Sequence, residues 1–390
     1  MFWRGVWRVA RREVSAISRD RLYISVVVLL PIAMMAFFAI IFRSGVIENL
    51  PIAVVDEDRS IMSQRLVRML DSTRGVDVTY SAMSIDEAER LMLGGDVSAI
   101  VYIASGFSRG LNNGEGGVVE CYIPGTSLSA AGIVEQSVQG CVRALSESLS
   151  VDKLQTLQVG YKEAVADISP INLVVRITAN PYLNYGYYLS PVFMFMGVVI
   201  FTVISTIFAI GRELRYATVP EWLDLASGSL LGATIGKLLP LTVAMTLMMQ
   251  LVFAILFAMM GMECAGSYWV LSLLSVLFIV AYQSVALFII VMCANLRLGL
   301  SLGGGFAVMA FTFSGITFPV MAMYGVARLL SHIFPLTHFT QIFINIAMRG
   351  CDFIYLQERV LSLILFMILP IVVWPRYRSI CSNVKYWGRD

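Results

Sequence analysis

Residues 22–42 read LYISVVVLLPIAMMAFFAIIF, a run without one charged side chain. An α-helix rises 1.5 Å per residue, so ~20 such residues cross a hydrocarbon layer of ~30 Å. Outward from this run, charge-free stretches recur at Ile177–Gly211, Leu238–Met262, Cys264–Leu296, Leu298–Ala327 and Val360–Pro375. The last reaches spanning length when its helix starts near Tyr355, with Glu358 and Arg359 at the interface. Over the whole chain 58% of residues are hydrophobic and 14% charged, whereas soluble domains carry roughly 25% charge. So little charge requires a solvent other than water. The reading is a polytopic α-helical membrane protein with six transmembrane helices, one at 22–42 and five within 188–374.

The net charge of +2 hides an asymmetry that orients those helices. Residues 1–21 hold six Arg against Glu13 and Asp20, a net +4, and 375–390 hold Arg376, Arg378, Lys385 and Arg389 against Asp390, a net +3. Residues 43–187 hold 11 basic and 17 acidic side chains, a net −6. Basic flanks stay in the cytoplasm. Both termini are therefore expected inside a cell (inner) membrane, with 375–390 a basic cytoplasmic tail and 43–187 an extracytoplasmic domain. The positive balance is a topological signal and implies no nucleic-acid partner.

Ahead of the first span, Trp3, Trp7, Ala10, Val14 and Ile17 recur at helical spacing, with arginines between them. That pattern predicts an amphipathic helix over 1–21, lying in the interface against membrane lipid or packed on another subunit. The first span runs into Arg43 without a small-residue cleavage site, so it is expected to stay as an anchor.

Segment 43–187 alone reads as water-soluble. Pro51–Val55, Val76–Tyr80, Val97–Ile103 and Val118–Ile123 have strand character, and Ile61–Leu70 and Ile85–Leu93 have helical spacing. Strands alternating with helices predict an α/β extracytoplasmic domain, followed by long helices from Leu128 to about Val165. Cys121 and Cys141 both fall in it, and an oxidising compartment would let them pair; two buried free thiols fit equally. The cysteines have no metal-site spacing. Near the other end, Leu329–Met348 carries His332, Pro335 and His338 in an apolar run. A seventh span would invert the basic tail, so this run is read as a broken, re-entrant external hairpin.

Chemistry-bearing motifs are scarce. Gly232-Ala-Thr-Ile-Gly236-Lys237-Leu238 has three residues between its glycines and Leu after the Lys, where a phosphate loop needs four and Ser or Thr. Lys237 is therefore read as an interfacial anchor, and Gly303-Gly304-Gly305 as a close-packing site between helices. No cofactor is expected in this chain. His338 suits a structural role at the helix break better than proton relay, and the long spans hold no interior carboxylate to bind a coupling ion. Ser314 and its uncharged polar neighbours either bond helix to helix or line a pathway. The cytoplasmic loop 212–237 differs: Arg212, Glu213, Arg215, Thr218, Glu221 and Trp222 crowd one short segment, where Pro220 suits a helix start and Trp222 offers an apolar patch to a partner.

Over nearly its whole length the chain resembles the membrane subunits of type-2 ABC (ATP-binding cassette) exporters. The matching fragments include Ile52-Ala-Val-Val-Asp56-Glu-Asp58, Val97–Val101, Gly106-Phe107-Ser108-Arg109, Tyr122–Gly125 and Asn180-Pro181-Tyr182. Further along they include Gly236-Lys237-Leu-Leu-Pro240, Ser314-Gly315-Ile-Thr-Phe318-Pro319 and Pro335-Leu-Thr337-His338 through Arg349-Gly350. Arg212-Glu213 with Thr218 resembles the family's coupling segment, where Gly often precedes the Thr; here Ala217 does. The resemblance implies a dimer with a second permease, and a partner ABC ATPase that holds ATP and Mg. It implies export of drugs or lipids, in some members with a periplasmic adaptor and outer-membrane channel. Ser314, Pro319, Pro335, Thr337 and His338 would then belong to the pathway or its re-entrant cover. The competing reading is a membrane-anchored receptor or scaffold whose external domain binds a ligand. Six spans and a broken hairpin exceed what such an anchor needs.

Overall fold

The computed structural model describes residues 2–42, 48–113, 116–124, 128–156, 185–316 and 318–388. The chain divides into two compact units, one formed by Met1–Gly45 with Ile177–Asp390 and the other by Val46–Arg176.

The smaller unit is an α/β layer around strand β1 (Leu50–Asp56). Its run Ile52-Ala-Val-Val55 is buried on both faces, as a continuous β-branched run predicts for a central strand. β2 (Val76–Ala82) and β3 (Ala99–Ile103) flank it in parallel, and β4 (Val119–Tyr122) closes the edge antiparallel to β3. Helices α3 (Ile61–Asp71), α4 (Ile85–Gly94), α5 (Phe107–Asn113) and α6 (Leu128–Thr156) complete the unit; the first helices of the chain, α1 (Phe2–Arg19) and α2 (Arg21–Ile41), belong to the other unit. One face of the sheet packs Ile52, Val54, Ala99 and Val101 against Leu66 and Leu70 of α3 and Val134 and Val138 of α6. The other packs Ala53, Val55 and Ile100 against Ala88 of α4.

The observed order of strands and helices is the one read from the sequence, with the short α5 added. The acidic run after β1 supports α5 and the loop before it. The Asp58 carboxylate accepts from the backbone N–H of Gly106 at 2.9 Å and of Ser108 at 3.0 Å. Asp56 accepts from Ser63 Oγ at 2.7 Å and from Arg59 N at 2.8 Å. The two Asp58 bonds join sequence fragments some fifty residues apart, and a hydrogen bond with Ser60, with these two adding to it, holds the Asp58 carboxyl below its usual range.

In the larger unit, α1 (Phe2–Arg19) leads into α2 (Arg21–Ile41), capped by Asp20. Then follow α7 (Tyr185–Arg215), the short α8 (Val219–Leu225), α9 (Leu230–Met259) and α10 (Tyr268–Cys293). After them come α11 (Leu296–Thr312), α12 (Gly325–Ser331), α13 (Pro335–Phe343) and α14 (Phe353–Ser382). Among the described residues, α2, α7, α9, α10 and α14 are each long and apolar enough to cross a membrane. A π-turn at Ser25–Leu29 lies just before Pro31, whose ring would otherwise meet the carbonyl four residues back.

One expectation of the fold needs correcting. The charge-free stretch Leu298–Ala327 does not form one helix: α11 has 17 residues, about 25 Å at 1.5 Å each. It ends because Ser314-Gly315 turns, with Gly315 at φ +85°, and because Pro319 follows. On α1 the buried face is Gly5, Val6, Val9, Ala10 and Glu13, while Trp3, Trp7 and Val14 are exposed. The helix is apolar on more than one face, and the smaller side chains, which permit the closer approach, make the contact. Of Gly303-Gly304-Gly305, only Gly303 lies in a close helix contact, against Ile207 and Val203 of α7; nothing lies within 4 Å of a Cβ added at the other two.

The approach of α1 to α9 depends on Gly236. A Cβ there would lie 2.5 Å from the Val6 carbonyl oxygen and 2.8 Å from Val9 Cβ. Both are fixed on a helix and cannot swing away. Gly236→Ala should therefore lower stability by about 1–3 kcal/mol, the usual cost of overpacking. Thermal unfolding of the purified chain measures it, with Gly140→Ala as the control, since nothing lies within 4 Å of that site.

Candidate functional site

Four elements converge where α7 ends. Glu13 of α1, Glu213 of α7 and Lys237 of α9 are all buried, and they meet directly. Lys237 Nζ donates to Glu13 Oε2 at 2.7 Å and to Glu213 Oε1 at 2.6 Å. Arg12 sets its guanidinium fork on Glu213, at 3.1 and 3.2 Å. Thr218 Oγ1 donates to Glu213 Oε2 at 2.5 Å, and Tyr23 OH of α2 donates to Glu13 Oε1 at 2.5 Å. Two carboxylates thus face two cations, and every carboxylate oxygen has a donor. A buried charge survives only with this degree of pairing and hydrogen bonding.

The turn into α8 is built to hold Glu213 and Thr218 together. Thr218 N–H bonds to Glu213 O at 3.0 Å and Ala217 N–H to Leu214 O at 3.4 Å, the two bonds of a Schellman cap. The residue between them must turn left-handed, and Ala217 does so at φ +55°. That backbone favours glycine, and Ala217 meets it at a steric cost. Pro220 lies in the first turn of α8, where its missing N–H costs nothing.

Trp222 does not offer the exposed patch read from the sequence. It is 1% exposed, donates its indole N–H to Ala233 O at 3.1 Å, and lies 5.4 Å beneath the Lys237 ammonium. Lys237 is likewise no interfacial anchor, for the carboxylates of Glu13 and Glu213 draw it inward. The other residues expected in a coupling segment stay near the surface. Arg212 pairs with Asp20 at 3.4 Å, Arg215 lies over the Tyr216 ring, and Glu221 reaches Arg12 at 3.9 Å with its side chain 75% exposed. The exposed rim of the site is Tyr216, Ala217, Pro220, Glu221 and Asp224. Further along the chain, Gly388 N–H bonds to Leu214 O at 2.9 Å, so residue 388 returns to the end of α7 that α1 also meets.

The model of the family described as ABC-2 family transporter protein matches residues 21–374. The chain belongs to this family. It is the membrane permease subunit of an ABC transporter. No curated protein and no solved structure matches it.

In this permease the second group of sequence-predicted residues gathers where α11 ends. Residues 332–334 interrupt the helix, and Pro335 opens α13, whose residues 335–340 are all buried. Thr337 Oγ1 donates to Phe313 O at 2.8 Å, beside the turn that holds the buried Ser314. Leu336 N–H bonds to Tyr282 OH at 3.2 Å, and Tyr188 OH donates to Ile316 O. His338 Nε2 lies 3.1 Å from His332 O, while its Nδ1 and the Ser314 hydroxyl are buried without a partner. Pro319 stands apart, exposed. A cavity of about 520 Å³ lies alongside, lined by Val285, Phe288, Phe306, His332, His338 and Leu365 among others.

Cys121 and Cys141 are free thiols in the core of the α/β unit. Burial pushes the Cys121 thiol up to about 11 and raises that of Cys141. Residues Gly125 and Asn180-Pro181-Tyr182 lie outside the described residues.

Sequence reading missed Glu13, Arg12 and Tyr23 as site residues. Glu13 carries the one available signal. It lies three and four residues beyond Ala10 and Val9, an acid on an apolar face, which calls for a buried cation elsewhere.

Removing that cation tests the site. Lys237→Met leaves two buried carboxylates facing each other and should cost about 3–5 kcal/mol, as for a broken buried ion pair. Adding Glu13→Gln leaves Glu213 to Arg12 and should return most of that loss. Thermal unfolding of the three proteins in one detergent reads both effects.

Proposed function

We propose that this permease exports hydrophobic or amphiphilic compounds of the drug or lipid class. The energy comes from ATP bound with Mg and hydrolysed on a separate ABC ATPase subunit, and a second permease completes the assembly. The observation that carries the reading is the short helix α8. It projects Glu221 and Asp224 from a base fixed by Trp222, Lys237 and Glu213. A force applied to such a rim passes into α1, α7 and α9 together, because one ion cluster joins them. The ATPase contact is therefore Tyr216, Pro220, Glu221 and Asp224, with Arg212, Glu213, Thr218 and Trp222 supporting it from behind.

The substrate class rests on the interior. Among the described residues, the buried charged side chains are Glu13, Glu213 and Lys237, all in the cluster. Away from it the helices present apolar and uncharged polar groups, which suit a solute with little charge. The convergence of α1 and Gly388 on the end of α7 agrees with both termini lying on the cytoplasmic side. The α/β unit then lies outside, and α12–α13 forms the re-entrant external hairpin.

Charge reversal on the rim tests the ATPase contact. Glu221→Arg with Asp224→Arg should abolish co-purification of the ATPase and the transport it drives, while the permease stays inserted at normal abundance. Retained binding and transport would sink the assignment.

Topology is tested with single cysteines in a cysteine-free background. A membrane-impermeant thiol reagent added to intact cells should label Glu115→Cys and spare Lys385→Cys. The reverse pattern would turn the molecule over.

A further inference from the structure

Where α1 meets α2, an open cleft of about 690 Å³ is lined by Arg12, Ser15, Ala16, Arg19, Asp20, Arg21 and Arg212. Four guanidinium groups thus surround one carboxylate, a net +3. Counting the neighbouring Glu13, Glu213 and Lys237, and Glu221 at 3.9 Å from Arg12, still leaves +1. Asp20 is already engaged: its Oδ1 accepts from the N–H groups of Leu22 and Tyr23 at 3.0 and 3.3 Å to cap α2. Its Oδ2 lies 3.4 Å from Arg212 Nη1, yet that buried Nη1 makes no hydrogen bond. Arg12 is committed to Glu213. The side chains of Arg19 and Arg21 have no ion pair or hydrogen bond among the described residues.

Arg19 and Arg21 are exposed at the mouth of the cleft, and among the described residues no carboxylate pairs with either. A tetrahedral oxyanion would pair with them, because guanidinium forks match phosphate oxygens two at a time. The position of the cleft selects the carrier of that phosphate. Arg21 is followed at once by the charge-free run that begins with Leu22, itself 60% exposed. On the same α1, Trp3 and Trp7 are 74% and 69% exposed, the side chains that favour the headgroup layer. Basic pockets at that depth between membrane helices bind anionic lipid headgroups. We infer that this arginine cleft binds the phosphate of an anionic phospholipid, its acyl chains lying against the exposed apolar side of α2. The site lies beyond the export reading and does not depend on it.

The full-length permease, purified in a neutral detergent, is titrated separately with phosphatidylglycerol, phosphatidylcholine and inorganic phosphate. Native mass spectrometry reads bound lipid, and thermal unfolding reads stabilisation. Phosphatidylglycerol should bind and stabilise, and the Arg19→Gln/Arg21→Gln variant should bind it about tenfold more weakly. Arg4→Gln/Arg11→Gln, which removes the same charge from α1 outside the cleft, should bind as the parent does. Equal weakening by the two variants would reduce the effect to general surface charge and overturn the site. Equal stabilisation by inorganic phosphate, or by phosphatidylcholine, would overturn the lipid assignment. So would unchanged lipid binding in Arg19→Gln/Arg21→Gln accompanied by loss of the ATPase, which would make the cleft a protein contact instead.

Discussion

Lys237 lies between Glu13 and Glu213, and the arrangement of the larger unit follows from that contact. Moving a charge out of water costs several kcal/mol per ion, and close pairing with full hydrogen bonding is what offsets it. The three groups come from α1, α7 and α9, so no one helix can satisfy its own charge. Arg12 and Thr218 take the remaining oxygens of Glu213, and Tyr23 takes that of Glu13. The cluster sets where α1 crosses α9, and Gly236, one residue before the Lys, permits the approach. It also sets the base of α8, since Trp222 packs beneath the same ammonium.

This dependence explains what the sequence disclosed. Stretches without charge report partition into the bilayer, a property of composition, and they located the spans. The run Ile52-Ala-Val-Val55 reported a central strand because burial on both faces removes any alternation. Helix continuity is a different property. Leu298–Ala327 is uncharged throughout, but Ser314-Gly315 and Pro319 end the helix inside it, and those residues were visible as breakers.

The site was harder to read because its members owe their roles to other segments. A tryptophan beside Glu221 and Asp224 looks like a surface patch until α9 supplies Ala233 and Lys237 around it. Lys237 looks like an interfacial anchor until α1 brings Glu13. On α1 the large aromatics stay exposed, and the smaller Val6, Val9 and Ala10 make the close contact with the other helices. A buried ion cluster is invisible one residue at a time. The useful signal is a pair of anomalies, an acid on an apolar face and a lysine inside an apolar helix, which explain each other.

The two ends of the helical unit are held by different chemistry. At the α7–α8 turn the bonds are ionic and buried, and breaking one strands an uncompensated charge at a cost of about 3–5 kcal/mol. Where α11 meets α13 they are neutral: Thr337 to Phe313 O, Leu336 N–H to Tyr282, Tyr188 to Ile316 O. Such bonds contribute about 1 kcal/mol each, and a displaced hydroxyl can find another carbonyl nearby. Ser314 and Thr340 already lie buried with unpartnered hydroxyls, and Pro335 leaves the backbone before it unratcheted by helix bonds. A push delivered to α8 would therefore move α1, α7 and α9 as one body, and the strain would be relieved at the α11–α13 end, where rearrangement is cheapest.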